Sequence, residues 1–168
     1  MFKVERAVAA DIERVRELET EAFGFTWDQE TFLKELTRPN GATVVARSAE
    51  GVVGSALLVW AAGEVQLNSI VLDPAVRGRG LSRPFLGTMM RWLQEEQFDW
   101  FTLEVKWRNE PAHRLYRHFG FVTTACRPRY YSDGQDARIM WAGHLQSPHF
   151  RRLLGGEDLP EETLRRVG

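Results

Sequence analysis

The period of the hydrophobic positions changes several times along the chain, and each change marks an element. Residues 2–6 alternate as a short strand. Ile12, Val15, Leu18 and Ala22 then fall three or four apart, the spacing of one helix face, with Asp11 in front as a predicted N-cap. Thr26 with Gln29 three residues on predicts a capping box. The helix it opens ends near Thr37, where Arg38-Pro39-Asn40-Gly41 breaks the pattern. Three strand-like runs follow at 42–47, 52–60 and 64–72. Their short links, Glu50-Gly51 and Ala62-Gly63, read as hairpin turns, so these strands are antiparallel.

From residue 81 the period becomes four: Leu81, Phe85, Met89 and Leu93. Pro84 is compatible with this helix only in its first turn, where a missing N–H costs nothing. A strand at 99–105, a helix at 109–119 and closing strands at 121–127 and 136–145 complete the pattern. Asn109-Glu110-Pro111 suits a helix start, and Gly120 suits a left-handed C-terminal cap. The expected architecture is one mixed α/β (α+β) domain over 1–146, with helices flanking a mostly antiparallel sheet. Residues 147–168 form a charged tail with one short helix after Pro160.

Within residues 64–72 the apolar positions are 65 and 67, then 70 and 72. A two-residue period broken by one position predicts a β-bulge, and bulges re-aim backbone groups, often beside active sites. The segment that follows, Asp73-Pro-Ala-Val-Arg-Gly-Arg-Gly-Leu-Ser82, is a turn and a helix start. Gly78 and Gly80 let the backbone approach a ligand, and N–H groups of a first helical turn favour anions. Arg77 and Arg79 add positive charge. A pyrophosphate cradle fits this loop. A Walker loop does not, for want of a Lys-Ser/Thr pair, and a dinucleotide fingerprint would need glycine where Arg83 stands.

Composition narrows the classes. The 168 residues are 43% hydrophobic and 27% charged with net charge -1, so no global basic field points to nucleic acid. Cys126 is the only cysteine, which rules out an internal disulfide, leaves no thiolate pair for structural zinc, and fits a reducing, cytoplasmic compartment. As a lone cysteine on a predicted strand, it is expected to be a small core residue. The apolar run near 56–62 is too short to span a bilayer. The expectation is no metal, no membrane and no direct nucleic-acid partner.

Two side chains beyond the loop carry acid–base chemistry. Glu104 alternates away from Leu103 and Val105, and a carboxylate there is a candidate general base. Tyr116 lies on the apolar face of its helix with Ala112, Leu115 and Phe119. Its phenol, with a reference pKa of about 10, is a candidate general acid for a leaving thiolate of about 8.5.

Together these residues resemble the GNAT superfamily of N-acetyltransferases. Arg77-x-x-Gly80-x-Ser82 is similar to its acetyl-CoA pyrophosphate motif. Leu103-Glu-Val, Asn109, Leu115-Tyr116 and Phe119-Gly120-Phe121 resemble its second half. The segment Tyr130-Tyr-Ser-Asp-Gly-Gln-Asp136-Ala resembles the Tyr-Tyr-x-Asp-Gly-x-Asp-Ala signature of the subgroup that acetylates protein N-termini, which includes the RimI type acting on ribosomal-protein alanine. Phe25-Thr-Trp27 resembles that subgroup's first-helix region.

The resemblance implies that Ile70, Val71 and Leu72 hydrogen-bond the pantetheine arm through the backbone. It implies that Gly78, Arg79, Gly80, Leu81, Ser82 and Arg83 hold the pyrophosphate, and that Asn109 contacts the cofactor near its thiol. Glu104 and Tyr116 become base and acid, and Phe25, Trp27, Tyr130 and Tyr131 line a peptide entrance. Two positions depart from the usual pattern: Ser82 replaces a Gly or Ala, and Pro84 removes a helix N–H where Ala is commoner. Two other readings share the fold: a GNAT enzyme for a small amine such as a polyamine, and a non-catalytic acyl-CoA-binding regulator.

Overall fold

The computed structural model describes residues 2–164. Eight strands form one sheet. They are β1 (Lys3–Arg6), β2 (Gly41–Ser48), β3 (Gly51–Ala61), β4 (Glu64–Leu72), β5 (Trp100–Lys106), β6 (Val122–Arg127), β7 (Ala137–Gly143) and β8 (Glu162–Thr163). Five helices accompany them: α1 (Ile12–Phe23), α2 (Gln29–Leu36), α3 (Ser82–Glu95), α4 (Glu110–His118) and α5 (Pro148–Gly155). The spatial order is β6-β7-β5-β4-β3-β2-β1-β8. Only the β4–β5 and β1–β8 pairs are parallel; the other neighbours run antiparallel.

Alternation along the strands separates two cores. Val65 and Leu67 of β4 and Phe101, Leu103 and Val105 of β5 point to the larger one, with Phe85, Met89 and Leu93 of α3 and Phe119 and Phe121 after α4. The smaller core places Ile12, Val15 and Leu18 of α1 and Phe32 of α2 over Val45, Leu57 and Val71. Each fully buried side chain of this size contributes roughly 1.5–3 kcal/mol, so Phe85, Met89 and Leu93, with Leu86, Met90 and Trp92 beside them, hold α3 to the sheet.

Two predicted caps form differently. Asp11 does precede α1, but its carboxylate accepts from Val8 N at 2.9 Å, within the 3-10 turn Ala9–Asp11, and takes two bonds from Arg47. The residue that caps α2 is Asp28, accepting from Thr31 N at 2.8 Å, and not Thr26. Cys126 is exposed, because β6 is the edge strand and every residue along it is open to solvent.

The tail also differs from expectation. Its helix, α5, precedes Pro160, and the described residues after Pro160 add β8 to the sheet edge; residues 165–168 lie outside the described residues. Phe150, Leu154 and Leu164 are buried in the larger core. A Cβ at Gly87 would sit 2.8 Å from the Leu159 side chain and 3.0 Å from Phe119, so this glycine lets both pack close to α3.

Candidate active site

The predicted parity break is a bulge. Across β3 and β4, Leu58 faces Leu67 and Leu57 faces Ser69, which leaves Asn68 as the extra residue. The same point ends the β4–β5 ladder. Residues 64–67 pair with 100–103 and the pairing stops at Leu67–Leu103. Beyond it, β4 stays with β3 and β5 stays with β7, so the sheet splits. Ile70, Val71 and Leu72 lie on the bulged side of the split, bonded to β3 on one edge only. Their other edge has no strand partner among the described residues and leaves backbone groups open to an extended ligand, except Leu72 O, which accepts from Arg77 Nε.

Past Leu72 the chain makes the 3-10 turn Pro74–Val76, capped by Asp73, whose carboxylate accepts from Ala75 N at 2.8 Å. Gly78 (φ 73°) and Gly80 (φ 77°) are left-handed, and a Cβ at either would meet open space. Conformation, not crowding, therefore demands glycine here. Leu81 leads into α3, where Ser82 and Arg83 fill the first turn, its N–H groups without intrahelical partners. Pro84 is the third helical residue, as its missing N–H requires. Arg77 donates from Nε to Leu72 O at 2.9 Å, bracing the loop, while Arg79 is exposed. The guanidinium of Arg83 is committed elsewhere: it makes two bonds, of 2.9 and 2.8 Å, to Glu157 of the tail. Only its backbone N–H remains for an anion. The loop thus fits a pyrophosphate through backbone donors, with Arg77 and Arg79 as nearby charge.

On the other face of the split, Glu104 is the first β5 residue beyond the ladder and projects away from the larger core. Its side chain is mostly buried and pairs with Arg127 at 2.8 Å. Tyr130 hydrogen-bonds the same carboxylate, which raises the Tyr130 phenol. Tyr130 and Tyr131 meet edge to face at 5.2 Å. Tyr131 is pushed up to about 12, first by burial and then by the charge of Glu104. Tyr116 is buried on α4 against Phe121, and burial, with a smaller contribution from Tyr131, holds its phenol well above the ordinary value. It therefore keeps its proton throughout the neutral range.

The loop between β6 and β7 is internally tied. Arg129 N donates to Asp136 at 2.8 Å, Lys106 bridges to Asp133 at 2.6 Å, and Lys106 also lies over the Tyr131 ring. At the start of α4, Asn109 accepts from Ala112 N at 3.2 Å, so its carbonyl oxygen is occupied by capping and its amide N–H groups are what it offers a ligand. His113, fully buried, has Nε2 3.0 Å from Lys106 O, and since a carbonyl can only accept, Nε2 carries the proton and ties α4 to the end of β5.

The structure thus brings Glu104, Tyr116, Tyr130 and Tyr131 to one end of the split. Phe25 and Trp27 stand on the separate α1–α2 connection, where Trp27 packs on Phe32 at 5.4 Å and Phe25 projects outward, 70% exposed. Arg127 was not among the sequence candidates. Its partner lies 23 positions away, and only the β5–β7–β6 register brings them together.

A sheet split at a bulge, followed by a glycine loop and a helix N-terminus, makes a site of backbone donors suited to an extended anionic ligand. Residues 12–121 match the Acetyltransferase (GNAT) family. The chain belongs to that family and is an N-acetyltransferase. It is 35% identical over 138 residues to a Mycobacterium tuberculosis protein named N-alpha-acetyltransferase RimI, covering 78% of this chain and 85% of that protein. It is 30% identical over 133 residues to a Bacillus subtilis protein provisionally named ribosomal protein bS18-alanine N-acetyltransferase, covering 78% and 88%. The crystal structure of the ribosomal-protein-S18-alanine N-acetyltransferase from Escherichia coli superposes with a TM-score of 0.78 at 25% identity, over 86% of this chain and 94% of that one. Among the described residues, no helix is long and apolar enough to cross a membrane.

Proposed function

We propose that this enzyme transfers the acetyl group of acetyl-CoA to the α-amino group of a protein N-terminus, and that a ribosomal protein beginning with alanine is its substrate, in the cytoplasm. The observation that carries the reading is the Glu104–Arg127–Tyr130–Tyr131 cluster at the open end of the split. It surrounds a carboxylate with rings and hydroxyls able to grip a peptide backbone, and the names of the relatives point the same way.

In this mechanism the loop from Gly78 to Arg83, with Arg77, holds the pyrophosphate, the freed edge of 70–72 holds the pantetheine arm, and Asn109 offers N–H groups near the thiol end. Backbone N–H groups at the bulged strand stabilise the oxyanion. An α-amine, with a pKa near 8 against about 10.4 for lysine, is more than two units easier to deprotonate, roughly 3 kcal/mol. The Glu104 carboxylate, held in place by Arg127 and Tyr130, is positioned to take the amine's proton through one ordered water. The nitrogen attacks the thioester carbon and the C–S bond breaks. The nitrogen's proton passes to Glu104 and the sulfur takes one from Tyr116; Glu104 then releases its proton to solvent and Tyr116 regains one, which restores the enzyme. Burial raises the Tyr116 phenol, so it still carries its proton when the thiolate leaves.

The test is acetyl transfer to three acceptors: a hexapeptide beginning with alanine, the same peptide N-terminally blocked but containing lysine, and spermidine. Transfer to the first alone is expected. Preferential transfer to spermidine would replace this reading with a small-amine acetyltransferase. Tight acetyl-CoA binding without transfer to any acceptor would replace it with an acyl-CoA-binding regulator.

A further inference from the structure

Glu104 is not the only carboxyl group beside the split. Glu19, on α1, is 8% exposed and receives a hydrogen bond from Ser69 Oγ at 2.6 Å. Ser69 directly follows the bulged Asn68. It faces Leu57 across the ladder, on the α1 side of the sheet, while Ile70 and Leu72 turn to the other core. Glu104 also points to the α1 side, because its neighbours Leu103 and Val105 point to the α3 side. Ser69 and Glu104 therefore stand on opposite banks of the split, on the same face.

From this juxtaposition we infer that Ser69 accepts an N–H of the incoming amine, and that Glu19 is the positioning residue that turns the Ser69 hydroxyl to do so. The inference rests on the proposed amine acceptor. A serine hydroxyl has one proton to give and two lone pairs. When ionised Glu19 takes that proton, the lone pairs are left facing the split, where an amine can donate to them. When Glu19 is protonated it becomes a donor itself, Ser69 turns its proton outward, and the amine meets an O–H instead of a lone pair.

The surroundings favour the reversal as pH falls. Burial raises the Glu19 carboxyl above the ordinary carboxylate range, and only the Ser69 bond opposes it. Nearby charges are directed elsewhere. On α1, Arg14 pairs with Glu17 and Asp73, Arg16 donates to Trp27 O, and Glu13 and Glu21 are uncovered toward solvent. Asp11, in the turn before α1, pairs with Arg47. On α2, Lys34 pairs with Glu30, and Glu35 with Arg38. β3 carries no titratable side chain, and on β4 the only one is Glu64, at the far end of the strand. Glu19 is thus a buried carboxyl whose state follows pH and which a hydroxyl at the reacting end of the sheet reports.

The test uses the full chain, acetyl-CoA and the alanine hexapeptide. Ser69→Ala should raise the peptide KM about tenfold, with acetyl-CoA binding, measured by calorimetry, unchanged within twofold. Glu19→Gln keeps an acceptor for the Ser69 proton at every pH. Its peptide KM should match the wild type within about threefold at pH 8.5, and the wild-type KM should rise relative to it, by about fivefold or more, on going to pH 6. A merely structural Glu19 would change thermal stability but leave that KM ratio flat. A flat ratio between pH 6 and 8.5, or a Ser69→Ala KM within twofold of wild type, overturns the inference. If the wild-type enzyme acetylates spermidine or lysine instead, the proposed acceptor fails while the same two variants, assayed on that amine, still decide the role of Glu19 and Ser69.

Discussion

The two sides of the split between β4 and β5 are made of different material. The side toward α3 is backbone: the bulge at Asn68, the unpaired edge of 70–72, two left-handed glycines and the first turn of a helix. The side toward α1 is side chains brought from α1, β4, β5, β6 and the loop after it, namely Glu19, Ser69, Glu104, Arg127, Tyr130 and Tyr131. Backbone donors have fixed directions and no charge to titrate, so the first side suits a constant partner, the pyrophosphate and amide-rich arm that every acetyl donor of this kind presents. Side chains can be exchanged one at a time, and their protonation responds to pH, so the second side suits the variable partner, the amine. Tyr116 lies in the larger core on α4, near Tyr131, its phenol held protonated by burial.

That position makes Tyr116 the most sensitive place to break the comparison. Tyr116→Phe should lower kcat by roughly 10²–10³-fold, the usual loss when a positioned proton or hydrogen-bond donor is removed from a transition state. Acetyl-CoA binding should stay within about twofold, since the backbone side is intact. Because burial holds the wild-type phenol far above neutrality, the wild-type rate should show no alkaline fall from its ionisation up to pH 9. A variant that kept half the wild-type kcat in single-turnover assays would remove Tyr116 from the chemistry.

The two sides also differ in how far the sequence exposes them. A parity break and two glycines are local signals, so the bulge and the loop were readable without any fold. So was the inward face of α4, with Gly120 left-handed behind it and Phe121 N bonded back to Tyr116 O at 3.0 Å. The side-chain face depends on register. Arg127 reaches Glu104 only because β7 lies between their strands, and Cys126 is exposed because β6 is an edge strand among the described residues with both faces open to solvent. Glu19 reads as an ordinary polar residue of an amphipathic helix until α1 is laid over Ser69. Thr26 and Asp28 both have cap chemistry, and the choice of Asp28 rests on backbone angles that composition does not encode. In the tail, leucines and phenylalanine spaced among charges conceal a helix whose Phe150 packs against Gly120, 30 residues earlier.

Gly80→Ala tests the backbone side directly. A Cβ at φ 77° meets no neighbour, so the substitution changes only what the chain must pay to hold a left-handed residue, about 1–2 kcal/mol. If loop conformation is what binds the pyrophosphate, that strain should appear as a roughly tenfold weaker acetyl-CoA Kd, with the peptide KM unchanged at saturating acetyl-CoA. An equal loss in both constants would show that the two sides are not separable.

The smallest effect is expected at the strap that braces the backbone side from behind. Glu157, its side chain 9% exposed, bonds to Arg83 in the first turn of α3 and to His118 at the end of α4. The Arg83 bonds, with His118 behind them, hold its carboxyl below the ordinary carboxylate range. A depressed folded-state value stabilises the fold above the unfolded value of about 4.3, and the contribution is lost as pH falls through the folded one. Glu157→Gln should therefore cost about 1–2 kcal/mol of unfolding free energy at pH 7, and the difference from wild type should shrink steadily below pH 4.5. In the proposed cradle Arg83 would serve the pyrophosphate only through its backbone N–H, because its guanidinium bonds Glu157, so kcat and the peptide KM should not move. Releasing its guanidinium would, if anything, tighten acetyl-CoA. A Glu157→Gln enzyme with weakened acetyl-CoA binding at full stability would mean that the strap sets the cradle's geometry, and that the backbone side is not self-sufficient.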